Sequence, residues 1–338
     1  MVVGAMSNPL EYRLTPEASM TRPALYVTRV LPEPVMAALR QQYRLISEPT
    51  DQPPTEVEQR RSFAQADAVI CTLTDRIDAS LLAHTIHLKI IANYAVGYNN
   101  IDVAAARERG IVVTNTPDVL TDGTADLTWA LLLAVARRVV EGDRWVRTRT
   151  WPGWAPTQML GTDVIGKTLG IIGMGRIGQA VAQRAAGFRM PVMYASHRPC
   201  AEPAGTSAWT HRPLQDVLTH SDFVSLHVPL TGGTRHLIGP RELALMKPTS
   251  FLINTSRGPV VDEAALVAAL EAGTIAGAGL DVYEQEPLVH AGLTRLQNVV
   301  LLPHLGSATL DTRVRMGLIC LENIAAVLSG AVAPNRVT

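Results

Sequence analysis

The sequence predicts an α/β protein of two doubly wound parallel sheets, one unit inserted within the other. Three observations carry this. Short apolar runs alternate with amphipathic stretches from about Leu25 onward, as in parallel sheets covered by helices. One long apolar helix interrupts the alternation, which then resumes. A second long helix follows the last strand. Because these two helices bracket the second alternation, the first unit is expected to take both chain ends. The expected division is 20–119 with 308–338 for the first unit and 120–307 for the second. Residues 1–19 are expected to be a disordered extension, with Met20 as a natural start.

Each element has a local reason. In the first unit ALYVTRV, DAVICTL, LKIIANY and GIVVTNT read as strands, and PEPVMAALRQQ, with prolines near its start, as a helix. The long helix should begin after Thr121 or Asp122, either of which serves as an N-cap. Its middle is apolar on nearly every face, which predicts burial between the domains. TRTWPGWAPTQMLGTD, broken by Pro152, Gly153 and Pro156, reads as a loop. The second alternation runs through KTLGIIG, PVMYAS, DFVSLHV, SFLINTS, AGAGLDV and NVVLLP. Asp262 should cap the helix after SFLINTS, and Gly273 should end it. TLDTRVRMGLICLENIAAVLSG is the last helix.

Composition narrows the function classes. The chain has 338 residues, 47% of them hydrophobic, enough for a large core in roughly two domains. Lys+Arg and Asp+Glu both total 30. Zero net charge argues against nucleic acid or an anionic membrane as partner. Cys71, Cys200 and Cys320 are scattered and lack C-x-x-C spacing, so neither a disulfide framework nor a metal site is expected. A reducing, cytoplasmic compartment is the default. LTWALLLAVA is far shorter than the ~18 apolar residues of a membrane span. The first residues lack the charged and apolar regions of a signal peptide.

The first chemical motif is Gly173-Met174-Gly175-Arg176-Ile177-Gly178, after the strand Leu169 to Ile172 and opening a helix. In that context the glycines allow a tight turn, a close approach of backbone to pyrophosphate, and close packing of helix on strand. The helix N-terminus faces the phosphate charge. The expectation is a Rossmann-like dinucleotide site, with a flavodoxin-like partner domain. In NAD-binding domains an acid ends the second strand and accepts hydrogen bonds from the ribose hydroxyls. Here the chain reads Ser196-His197-Arg198. A serine hydroxyl can donate to a 2′-phosphate, and a guanidinium suits phosphate oxygens. NADPH is therefore expected over NADH, with NADH weaker.

Arg257, Glu286 and His304 lie in INTSRGPVVDEAAL, AGLDVYEQEP and LLPHLGSAT, all at expected strand ends, where open α/β sheets bind ligands. Together with the glycine turn and ANYAVGYNNIDVAAARERGIVVTNTPDVLTDGTAD, these segments resemble the D-isomer-specific 2-hydroxyacid dehydrogenases. TPDVLTDGTADLTWALLLAVARR and WPGWAP look most like the glyoxylate/hydroxypyruvate reductases among them. The resemblance covers about residue 25 to 325. Ser256, where many members have Ala, departs without touching the chemistry.

The resemblance implies that Arg257, Glu286 and His304 are the catalytic triad of a 2-keto acid reductase, yielding a 2-hydroxy acid. A protonated His304 would give its proton to the keto oxygen as hydride reaches C2. Glu286 would favour the charged imidazole, and Arg257 would bind the carboxylate and polarise the keto group. The substrate carboxylate would also meet backbone N–H groups near Val96 and Gly97, with Leu73 nearby. Family-implied cofactor contacts are Thr124, Pro229, Thr255, Ser256, Asp281 and Gly306, Asp281 toward the carboxamide. His227 in SLHVPLT reads as structural.

Trp145, Trp151 and Trp154 cluster in and before the Pro/Gly-broken loop, which is poor core material, and aromatic anchors favour interfaces. In similar reductases this segment dimerises, which implies a homodimer with Trp154 narrowing the partner's substrate pocket. The competing enzyme reading is an NAD-linked D-lactate-type dehydrogenase, against which the missing acid at position 196 and TPDVLTD both count. A phosphoglycerate dehydrogenase with a regulatory domain is disfavoured by the length of 338, and a formate dehydrogenase by Glu286 where an amide is needed. A dinucleotide-sensing corepressor would favour NAD(H) and a partner-binding tail.

Overall fold

The protein's structure, a computed structural model, describes residues 22–200 and 209–337. The expected extension at 1–19 lies outside them.

The first sheet contains β1 (Ala24–Val27), β2 (Arg44–Leu45), β3 (Ala68–Cys71), β4 (Ile90–Asn93) and β5 (Val112–Thr114). Its order is β2-β1-β3-β4-β5, with every pairing parallel. The central strands β1, β3 and β4 are buried on both faces, so they read as continuous apolar runs rather than alternating ones. The connecting helices are α1 (Glu33–Gln42), α2 (Glu56–Gln65), α3 (Ala79–Leu82) and α4 (Val103–Glu108).

Next come α5 (Thr121–Ala136) and α6 (Val139–Arg147). The second unit holds β6 (Leu169–Ile172), α7 (Arg176–Ala185), β7 (Val192–Ala195), β8 (Trp209–His211), α8 (Leu214–His220) and β9 (Phe223–Leu226). It continues with α9 (Pro240–Leu245), β10 (Phe251–Asn254), α10 (Glu263–Glu271), β11 (Gly277–Leu280) and β12 (Val299–Leu301). The sheet order is β12-β11-β10-β9-β6-β7-β8, again with every pairing parallel. The last helix, α11 (Leu310–Leu328), returns to the first sheet. It packs on α1 and β4, with Met316, Cys320 and Ile324 in that core.

This architecture places the site. Strand order reverses between β1 and β3 in one sheet and between β6 and β9 in the other. Crevices open outside the carboxyl ends of strands at such switch points. Register keeps those ends level: Ile172 pairs with Ala195 and Leu226, and Asn254 pairs with Leu226 and Leu280.

The structure corrects two expectations around α5. The N-cap is Leu120, without a side-chain cap, and neither Thr121 nor Asp122 takes that role. The chain enters through a turn in which Asp118 has φ 71° and the Thr121 N–H donates to the Asp118 carbonyl. The helix is buried against α7, β10 and β11 of the second sheet rather than between the domains; only its first turn reaches the crevice. Its path also breaks at Arg138, whose φ of 53° is left-handed, so α6 sets off in a new direction and buries none of its residues. Asp262 does cap α10, accepting from the Ala265 N–H, and Gly273 follows it with φ 68°. The expectations named neither the short edge strands β2 and β8 nor α2. The start of α2 was nonetheless marked by Thr55 and Glu58, which form a reciprocal capping box.

Candidate active site

Between the two sheets lies a cleft of about 1010 Å³, lined from both sides by residues that follow strand ends. From the first sheet come Leu73 after β3, and Val96 and Gly97 after β4. The second contributes Gly175 to Ile177, His227 and Pro229, Thr255 to Arg257, Asp281, Glu286, His304 and Gly306. Thr124 reaches in from α5.

His304 and Glu286 form the centre. His304 Nδ1 stands 2.8 Å from Glu286 Oε2, and Glu286 Oε1 accepts the Tyr283 N–H at 3.0 Å. Burial works to raise the Glu286 carboxyl. The His304 hydrogen bond and charge, the Tyr283 N–H and the Arg257 charge outweigh it and hold the group below the usual carboxylate range. With Nδ1 engaged by the carboxylate, the other ring nitrogen, Nε2, remains to face a ligand.

The ring is held by an unusual backbone. His304 has φ 55°, a left-handed conformation that costs a non-glycine residue of order 1–3 kcal/mol. Asp281 compensates. Its main-chain carbonyl accepts the His304 N–H at 2.9 Å, and its carboxylate accepts the Leu305 and Gly306 N–H groups at 2.6 and 2.8 Å. Burial raises the Asp281 carboxyl despite those two donors and the nearby imidazole. Thr124 Oγ1 donates to the Gly306 carbonyl at 3.0 Å, tying the same loop to α5.

Arg257 leaves β10 in extended backbone, and burial lowers its guanidinium while Glu286 opposes the shift. Its Nη1 donates to the Ser256 carbonyl at 2.7 Å, and its Nε donates across the cleft to Asn99 Oδ1 at 3.3 Å. A Cβ on Gly97 would fall 2.1 Å from Nη2. With glycine there, the first-sheet loop lies against this cation, and any side chain at 97 would push the guanidinium aside. Thr255 meets Thr128 of α5, hydroxyl to hydroxyl, at 2.8 Å.

The glycine turn fits a dinucleotide. Gly173 has φ 99°, and a Cβ there would lie 2.6 Å from the His227 carbonyl carbon. A Cβ on Gly178 would lie 2.2 Å from the Gly173 carbonyl oxygen, so helix and strand pack in contact. At Gly175 a Cβ would meet nothing within 4 Å. That is open space beside the unsatisfied N–H groups of the first turn of α7. The Met174 side chain is core, so only its backbone faces that space. Arg176 crosses the cleft rim to Asp118 at 2.6 Å.

Ser196, His197 and Arg198 follow β7, beside the turn, since the Gly173 N–H donates to the Ala195 carbonyl. They stand outside the cleft lining. The Ser196 hydroxyl, expected to donate to a ligand, donates instead to the Arg198 carbonyl. The Arg198 guanidinium has no hydrogen bond or ion pair among the described residues. His227, read as structural, lines the cleft with Nε2 2.9 Å from Ser225 Oγ, and burial pushes it down to about 3, a neutral ring at ordinary pH. Trp154 is 83% exposed and Trp151 53%, and neither lines this chain's own cleft.

Residues 129–306 match the model of the D-isomer specific 2-hydroxyacid dehydrogenase, NAD binding domain. The chain is 48% identical over 320 residues to the glyoxylate reductase of Thermococcus litoralis, covering 94% of this chain and 97% of that one. It belongs to the D-isomer specific 2-hydroxyacid dehydrogenase family. The Korarchaeum cryptofilum glyoxylate reductase is 49% identical over 318 residues, covering 94% and 96%. A solved structure from Thermus thermophilus superposes with TM-score 0.88 at 45% identity, covering 93% and 100%. The Sinorhizobium meliloti NADPH-dependent glyoxylate/hydroxypyruvate reductase, solved with NADP and malonate, gives 0.82 at 35% identity, covering 94% and 97%.

Sequence reasoning about this dehydrogenase missed Asn99 as a partner of Arg257 and the Thr128–Thr255 link. Both are tertiary contacts with no local pattern to announce them. No helix among the described residues is long and apolar enough to cross a membrane.

One backbone contact holds the Glu286 loop in register. A Cβ on Gly258 would lie 1.8 Å from the Tyr283 carbonyl carbon. Gly258→Ala is expected to destabilise the fold by about 1–3 kcal/mol or more, as overpacking does. It should also lower turnover, because the loop carrying Glu286 must move. Urea unfolding and steady-state assays of the variant check both; an unchanged midpoint would contradict the contact.

Proposed function

We propose that this dehydrogenase reduces small 2-keto acids, glyoxylate to glycolate and hydroxypyruvate to D-glycerate, with NADPH preferred over NADH. The observation that carries the reading is the His304–Glu286 pair at 2.8 Å, beside Arg257 in the cleft that the glycine turn also lines. The relatives named glyoxylate reductase support the substrate class.

The turn from Gly173 to Gly178, with Thr124, Pro229, Thr255, Ser256, Asp281 and Gly306, would hold the dinucleotide, and Arg198 its 2′-phosphate. When bound, the reduced nicotinamide supplies the hydride. Arg257 binds the carboxylate and polarises the keto oxygen through a planar fork of donors. His304 gives a proton from Nε2 to that oxygen, so carbonyl becomes alcohol and the imidazole is left neutral. Glu286 stabilises the imidazolium beforehand and fixes the ring. In the other direction His304 takes the proton back.

The assay that tests this pairs NADPH and NADH with glyoxylate, hydroxypyruvate and pyruvate. Absence of turnover with all three keto acids would end the reading. Arg198→Asp should shift the NADPH-to-NADH ratio of kcat/KM toward NADH by about 10-fold or more, since a carboxylate repels the 2′-phosphate. An unmoved ratio removes Arg198 from cofactor choice. Glu286→Gln takes away the anion that favours the charged imidazole. Reduction needs that charged form, so kcat/KM for glyoxylate at neutral pH should fall about 10–100-fold. A variant that keeps wild-type kcat/KM would remove this role from Glu286.

The chain is also proposed to act as a homodimer. Val139, Val146, Trp151, Trp154 and Leu160 are each exposed along α6 and the loop that follows it in the chain, and exposed apolar side chains of this kind support an interface. Trp154 would narrow the partner's substrate pocket. Trp154→Ala should raise kcat/KM for longer 2-keto acids relative to glyoxylate, and an unchanged ratio would rule out the pocket role. Sedimentation at assay concentration reads the oligomeric state directly.

A further inference from the structure

The loop after β4 carries three successive peptide groups whose carbonyls are all tied back into the first domain. The Ala95 carbonyl accepts the Thr116 N–H at 3.0 Å. The Val96 carbonyl accepts Asn115 Nδ2 at 2.8 Å, and the Gly97 carbonyl accepts Asn93 Nδ2 at 2.8 Å. A trans peptide directs its N–H opposite to its C=O. Fixing the carbonyls of 95, 96 and 97 therefore aims the N–H groups of Val96, Gly97 and Tyr98 the other way. None of those three donors has an acceptor among the described residues, and all three residues line the cleft. Successive N–H groups pointing into one concavity attract an anion.

The amides that hold this loop are themselves held. Asn93 ends β4 fully buried, and its Oδ1 accepts Asn100 Nδ2 at 3.4 Å. Asn100 Nδ2 also meets the Thr72 and Asp75 carbonyls at 3.1 and 3.2 Å, joining the loop after β3, where Leu73 sits. Asn115 follows β5 and is half-buried at the cleft wall. An asparagine suits each position because its NH2 group can donate to a carbonyl without bringing a charge near an anion. A buried, satisfied network of this kind is rigid. The Arg257 guanidinium lies against Gly97, so the N–H groups and the cation border the same space.

We propose that Asn93 and Asn115 are positioning residues, which hold the Val96, Gly97 and Tyr98 amides as a preformed socket for the substrate's carboxylate. This rests on the reading of the cleft as a 2-keto acid site. The two asparagines act through the loop: Asn115 Nδ2 donates to the Val96 carbonyl and Asn93 Nδ2 to the Gly97 carbonyl.

The test uses oxamate, an amide isostere of a 2-keto acid that carries the carboxylate and does not accept hydride. The variants are Asn115→Ala and Asn115→Leu; the second keeps the volume and loses the donor. Both should raise the oxamate inhibition constant and the glyoxylate KM together, by about 10-fold, while kcat changes less than about threefold. The dinucleotide dissociation constant, read by fluorescence quenching, should stay at the wild-type value, which also reports an intact fold at this half-buried position. Recovery of wild-type constants by Asn115→Leu would show that Asn115 only fills space and overturns the proposal. So would unchanged oxamate binding in both variants, or a fall in kcat with KM unmoved. A wild-type enzyme that neither binds oxamate nor reduces glyoxylate would instead overturn the 2-keto acid reading itself.

Discussion

The carboxylate of Asp281 joins the end of β11 to the loop after β12, and much of the site depends on that link. It receives the N–H groups of Leu305 and Gly306 while its own backbone carbonyl receives that of His304. Three hydrogen bonds from one residue over-determine a loop that must otherwise leave the left-handed region. The position of the His304 ring follows, and from it the approach to Glu286. Gly306 passes the constraint on to Thr124 and α5. The acid is buried in a low-dielectric setting, where two main-chain donors count for more than in water.

Around that anchor the charges are laid out in opposition. Arg257 and His304 face the cleft from the ends of β10 and β12, with Glu286, which follows the intervening β11, as the shared counter-charge. Its lowered carboxyl keeps it an acceptor over the whole neutral range, so the pair never presents two neutral groups at working pH. His227, close by, contributes the opposite property: an imidazole kept neutral by burial can wall the cleft without adding charge to it. The first domain answers with backbone N–H groups whose loop is held by uncharged amides, so it adds no ion of its own to the cleft.

The sequence made the parallel alternation, the glycine turn and the three strand-end residues legible, because each has a local period or spacing. The α5 region was less so. Its all-round apolarity says buried but not against what, and the left-handed turn at Arg138 involves an arginine, a residue that does not advertise such a bend. The three asparagines Asn93, Asn100 and Asn115 stand in or just after strand-like runs, where each alone looks like a turn residue. Only the folded chain, bringing the ends of β3, β4 and β5 to one edge, shows them bonded to neighbouring carbonyls. Ser196 shows the reverse case: the residue type was right for a donor, and the fold spent its hydrogen on the Arg198 carbonyl.

The ion pair between Arg176 and Asp118 spans the rim of the cleft, and both side chains are largely in solvent. Such an exposed pair contributes about 0.2–1 kcal/mol and weakens further with salt. A bond so slight is no lock. The two sheets therefore meet at this rim through a contact of about thermal energy, whose arginine belongs to the glycine turn. Parting the mouth costs little at this point, and a rise in ionic strength lowers that cost further.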